Sequence, residues 1–176
     1  MSMRDKIAKM LAEGVNAFHG STERNLKILS PAQAIETRGA TFHATNPDVA
    51  ETFTFPREYG EMLNYDPVTG RELKRGRVYR TLLTPKNLLE VPPHEAQRFI
   101  DDTAYQGGIV KEARQSGHDA IVARNVLEGI GERYPGDVYA TFDPSIARIM
   151  GKYGLVGGGG AGLGALVDQS SYGARQ

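Results

Sequence analysis

The chain has 176 residues, enough for one domain with a real core, and its 21 basic residues balance 21 acidic ones. No global field therefore points to nucleic acid or to an anionic membrane surface. There is no cysteine, which excludes disulfides, thiolate nucleophiles and thiolate zinc sites and fits a cytoplasmic protein.

In chain order, residues 1–14 carry charges around Ile7, Met10 and Leu11 at helical spacing, so an amphipathic N-terminal helix is expected and not a secretory signal. Short strands are expected at Val15–His19, Ala40–Ala44, Val78–Leu83, Ala120–Ala123 and Val138–Phe142. Between the first two, Ser30 to Gly39 is expected to be helical. Asn46-Pro47-Asp48 opens a further helix, with Asn46 as N-cap, Pro47 at the first position, and Val49, Ala50 and Phe53 on the apolar side. Pro92-Pro93-His94-Glu95 begins another, with Ala96, Phe99 and Ile100 facing one way. Ile109 to Gln115 makes a third, stopped by Ser116-Gly117. Short strands with intervening helices predict an α+β fold.

The long polar connections are Pro56 to Gly76, the better candidate for a lid, and Gly131 to Gly136. Within the first, Arg71 to Arg77 is a basic cluster expected to be a solvated loop. From Gly154 to Gln176 the chain is rich in glycine and is expected to be a flexible tail. Its Gly157–Gly160 run lacks the Lys-Ser/Thr of a phosphate-binding loop. The apolar segment Leu155 to Val167, rich in glycine, is too short and too weak a helix former to span a bilayer. The four histidines, His19, His43, His94 and His118, show no metal-ligand spacing, so no metal site is expected. His43 alternates with Phe42 and is expected to face solvent; His94 is read as a helix-start residue and His118 as structural.

Two segments carry the chemistry. Ala17-Phe18-His19-Gly20-Ser21-Thr22-Glu23-Arg24-Asn25-Leu26 ends an apolar strand in a histidine, followed by a glycine that lets a ligand approach the backbone. Phe42, then Ala44-Thr45-Asn46, then Ala50 and Phe53 follow, placing two aromatics eleven positions apart. Such a set suits gripping a flat ring beside a ribose. From Val15 to Ile149 the chain resembles the His-Tyr-Glu class of ADP-ribosyltransferases, which includes the poly(ADP-ribose) polymerases and diphtheria-like toxins. It is most similar to the compact domains found in polyvalent proteins of phages and mobile elements.

The resemblance implies a domain over 15–153 with two small, mostly antiparallel sheets, peripheral helices and an NAD cleft between them. It implies that His19 hydrogen-bonds a ribose hydroxyl, Gly20 clamps the nicotinamide amide, Phe42 and Phe53 flank the ring, and Ser21 and Thr45 add polar contacts. NAD would be the substrate and an unidentified macromolecule the acceptor, with no nucleic acid or membrane partner indicated. Family members place a glutamate on the last strand directly before an aromatic. Here Val138 stands there, followed by Tyr139. Asp137 is the candidate acid if a bulge turns it inward, and Glu132 is a second candidate. Three activities stay open on these residues: mono-ADP-ribosyl transfer, NAD hydrolysis, and NAD or ADP-ribose binding by a degenerate or structural module.

Overall fold

The structure is a computed structural model that describes residues 13–30, 39–55, 57, 58, 61, 62, 65, 66, 68–72 and 74–153. The expected N-terminal helix, the glycine-rich tail and residues 31–38 of the expected second-segment helix lie outside the described residues. The fold is α+β. Seven strands form one mixed sheet: β1 (Val15–Ser21), β2 (Thr41–Ala44), β5 (Arg77–Leu83), β6 (Leu88–Glu90), β7 (Ala120–Glu128), β8 (Tyr134–Thr141) and β9 (Ala147–Tyr153). Their order across the sheet is β6-β7-β8-β2-β1-β5-β9. A separate hairpin, β3 (Arg57–Glu58) with β4 (Glu61–Met62), occupies part of the polar connection expected as a lid.

The helices are α1 (Pro47–Thr52), α2 (Pro93–Asp101) and α3 (Thr103–Gln115). Asn46 caps α1 as its sequence dictates: its side-chain oxygen accepts from the Asp48 N–H at 3.0 Å, and Pro47 follows where no intrahelical donor is needed. Asp102 caps α3, accepting from the Tyr105 N–H at 2.9 Å, so α3 begins six residues before the expected start at Ile109 and runs through Gly107-Gly108. His94 lies in the first turn of α2, exposed, in the helix-start role its sequence gave it.

α2 and α3 connect β6 to β7, the one parallel pair in the sheet; the remaining neighbours are antiparallel. Ala96 and Phe99 of α2 and Val110 and Ala113 of α3 pack on Ile121, Val138 and Ala140 of the sheet, forming one core. The opposite sheet face buries Val15, Ala17, Leu83, Val122 and Tyr139 beneath Leu26 and Leu29 of the segment following β1. Buried Tyr79 holds that segment down: its hydroxyl donates to the Glu23 carbonyl at 2.9 Å and accepts from the Leu26 N–H at 3.0 Å.

The expected pair of sheets is corrected to a single sheet with a weak seam. Between β1 and β2 only one residue pair forms, Phe18 with Ala44, whereas β1 and β5 pair along seven residues. The sheet is therefore two antiparallel-rich halves, β1-β5-β9 and β6-β7-β8-β2, joined at one rung. Past that rung, His19, Gly20 and Ser21 part from His43, Phe42 and Thr41, leaving backbone groups of two strands without their ladder partners.

Candidate functional site

A cavity of about 400 Å³ opens at this seam, a size typical of ligand sites. His19, Gly20 and Ser21 of β1, Phe42 of β2, and Phe53 after α1 all line it. The fold thus brings together five of the seven residues singled out in the sequence.

His19 bridges the parted strands. Its Nδ1 lies 2.8 Å from the Phe42 carbonyl oxygen. A carbonyl can only accept, so Nδ1 carries the proton and the neutral ring keeps a lone pair on Nε2. Burial lowers the His19 pKa below its ordinary 6.5, only partly offset by the bond to Phe42, which favours the same neutral form at pH 7. The ring therefore offers an acceptor, suited to a ribose O–H.

Gly20 is required by packing. A Cβ there would meet the Ala50 carbonyl oxygen at 1.8 Å and Phe53 Cβ at 2.9 Å, so α1 rests directly on the β1 backbone. That contact places Phe53 beside the cavity. Phe42 serves both core and cavity: its ring centroid is 6.4 Å from that of Phe99 while the same side chain lines the opening. Ser21 Oγ accepts from the Glu23 N–H at 3.0 Å, leaving its own hydroxyl proton to donate.

His43 does not face solvent. It is 2% exposed, with its ring centroid 5.5 Å from that of His19. Its neighbours explain the inversion: Thr81 Oγ1 donates to the Ala17 carbonyl and so accepts from His43 Nδ1 at 3.2 Å. Nε2 lies 3.2 Å from Thr141 Oγ1, whose hydroxyl also reaches the Thr41 carbonyl at 3.4 Å. Alternation alone could not show that both faces of this central strand are covered. Burial, then the nearby His19, push the His43 pKa well below 6.5.

Thr45 and Asp137 are drawn away from the cavity. Thr45 Oγ1 accepts from the Asp137 N–H at 3.0 Å, and its own N–H donates to the Asp137 carbonyl at 2.9 Å, so the residue splices α1 to β8. The Asp137 carboxylate accepts from Arg124 Nη1 and from the Asn125 N–H, each at 3.0 Å, and Arg124 also pairs with Glu90 at 3.1 Å. The bulge that might have turned Asp137 inward lies instead on β7, opposite it. Val138 faces the helix-covered core and is 1% exposed. Glu132 hydrogen-bonds the Tyr134 hydroxyl.

Sequence reasoning missed Glu128, at the end of β7. Ala123 pairs with Val138 but Val126 pairs with Gly136, so β7 holds one extra residue there, and Asn125 adopts φ 52°. The extra residue reverses the alternation. Leu127 is turned outward, 48% exposed, and Glu128 is turned onto the cavity wall. Burial raises its pKa to about 7, with Arg133 opposing and Asp101 adding to the rise.

Compared with family models, with curated proteins and with solved structures, the chain matches none. Among the described residues no helix is long and apolar enough to cross a membrane, and no cluster of histidine and carboxylate could hold a metal.

Proposed function

We propose that the cavity at the seam binds NAD and that the chain is an ADP-ribosyltransferase of the His-Tyr-Glu kind, breaking the nicotinamide–ribose bond and passing ADP-ribose to a macromolecular acceptor. The observation that carries this reading is the fixed tautomer of His19. Its proton is committed to the Phe42 carbonyl, and its lone pair belongs to a cavity shared with Gly20, Phe42 and Phe53.

The chemistry needs a flat, apolar grip on the departing ring, fixed ribose hydroxyls and polarity near the cationic carbon that develops. Phe42 and Phe53 supply the grip. Gly20 brings a bare strand edge within reach of the nicotinamide amide, since β1 lacks β2 as a ladder partner at that point. His19 and Ser21 supply polar contacts. Origin in a phage or mobile element, with a host macromolecule as acceptor, follows the same resemblance.

One observation favours a second reading. Val138, where the resemblance calls for glutamate, is buried in the core and has no polar atom to offer. A chain that binds NAD or ADP-ribose without cleaving it would show this substitution.

Calorimetric titration with NAD tests the binding step. The wild-type chain is expected to bind, and His19→Ala to bind at least about tenfold more weakly, since an unmatched buried hydrogen bond costs roughly 1–3 kcal/mol. Equal affinity in a folded His19→Ala chain would remove His19 from the site.

A further inference from the structure

We propose that Glu128 is the general base of this cavity, accepting the proton from the oxygen nucleophile, either water or an acceptor hydroxyl, that attacks the ribose. The proposal rests on the NAD reading above and names the group that reading leaves unassigned.

Three observations converge on it. The β7 bulge turns Glu128 to the same sheet face as Val138, one strand over, so a carboxylate is supplied at this end of the sheet from the neighbouring strand. Its side chain shares the cavity wall with Gly20, Phe42 and Phe53. Among the described residues it accepts no hydrogen bond, whereas Asp137, Glu90 and Asp101 are each held by an arginine. Glu23, the other carboxylate on the wall, is exposed. A half-buried carboxylate without a partner costs the fold stability. Its position beside an aromatic-lined cavity, with its pKa displaced by burial, is that of a group suited to proton transfer.

The local layout favours that role. Gly129, next in the chain, packs against Thr52 at the end of α1, which brings Glu128 close to the turn carrying Phe53. The charged groups facing Glu128 are Arg133 and Asp101, which pair with each other; Tyr134, opposite on β8, bonds to Glu132. Arg133 is thus partly neutralised and leaves Glu128 basic enough to take a proton near neutral pH.

In the step itself the C–N bond between ribose and nicotinamide breaks, and its electron pair goes to the ring nitrogen, which leaves as neutral nicotinamide. A C–O bond forms to the nucleophile. The nucleophile's proton moves to the Glu128 carboxylate and then to solvent. No oxidant or reductant enters.

The test is the pH dependence of nicotinamide release from NAD between pH 5.5 and 9, for the wild-type chain and for Glu128→Gln, with NAD affinity measured on both. The wild-type rate is expected to rise through about pH 7 as Glu128 ionises. Glu128→Gln is expected to lose the rate at least about a hundredfold, lack that rise, and keep NAD affinity within about threefold. Formate added to Glu128→Ala should restore part of the rate. A wild-type rate flat across pH 6–8.5 overturns the proposal without recourse to any variant. Equal rates in Glu128→Gln overturn it while leaving the NAD reading intact. A wild-type chain that neither binds nor cleaves NAD overturns both.

Discussion

His19 and His43 are held neutral side by side by burial, which the bond to the Phe42 carbonyl offsets only in part for His19 and which the nearby His19 reinforces for His43. Protonating either puts a charge where burial disfavours it. The consequence for stability has a definite sign. Both folded pKa values lie below the unfolded 6.5, so between them the unfolded chain binds more protons and stability falls as pH drops. Above about pH 6.5 the penalty vanishes. For fully buried His43 the loss is about 1.4 kcal/mol per pH unit below 6.5 until its folded pKa is reached. Urea unfolding at pH 8 and pH 5 should therefore show a steep acid decline in the wild-type chain and a shallower one in His43→Asn. Parallel declines would show that His43 is not the group responsible. The role of His43 was not legible in the sequence, because alternation with Phe42 reports two faces and not which of them is covered. Phe42 and His43 lie on opposite faces of β2, and both faces carry a core.

At the scale of elements, the strands that were legible are those with dense β-branched or aromatic runs, β1, β2, β5, β7 and β8. The capped helix α1 was legible from Asn46-Pro47, and α2, which has no side-chain cap, from Pro92-Pro93. β6 was too short to stand out, and edge strand β9 is largely exposed on its outer positions, with Gly151 interrupting its pattern. The β7 bulge was hidden for a different reason: an inserted residue leaves no mark in Ala120–Glu128 read alone, yet it decides whether Leu127 or Glu128 meets the cavity. Asp137 lies outside the cavity, bonded to Arg124, because the register shift arose on the opposing strand. The contact between α1 and β1 is the element-level feature that shapes the site, and Gly20 is its hinge. Gly20→Ala must displace α1, because the clash is with backbone at Ala50 and not with a flexible side chain. A destabilisation of about 1–3 kcal/mol is expected from such overpacking, together with loss of NAD affinity as Phe53 moves. Thermal unfolding and titration of this variant check both; an unchanged melting temperature would contradict the tight crossing.

At the scale of the whole molecule, the seam is what opens a cavity in the sheet. Two half-sheets meet at the single rung Phe18–Ala44, with a core on each face of the sheet, and the groups freed by their parting are taken up by the His19 ring and by the cavity. The His-Gly-Ser and Phe-to-Phe spacing in the sequence marked where this would occur, since His19, Gly20, Ser21 and Phe42 fall on the two strands that diverge and Phe53 on the turn after α1. What the spacing could not show is that the strands remain one sheet, or that the carboxylate on the wall comes from β7. The most direct measurement is nicotinamide release from NAD at pH 7.5 by the purified wild-type chain beside His19→Ala, with folding confirmed for both. Steady release by the wild-type chain, falling to the buffer rate in His19→Ala, is the predicted result. A folded wild-type chain that binds NAD and releases no nicotinamide would contradict it and leave a binding module built around the same cavity.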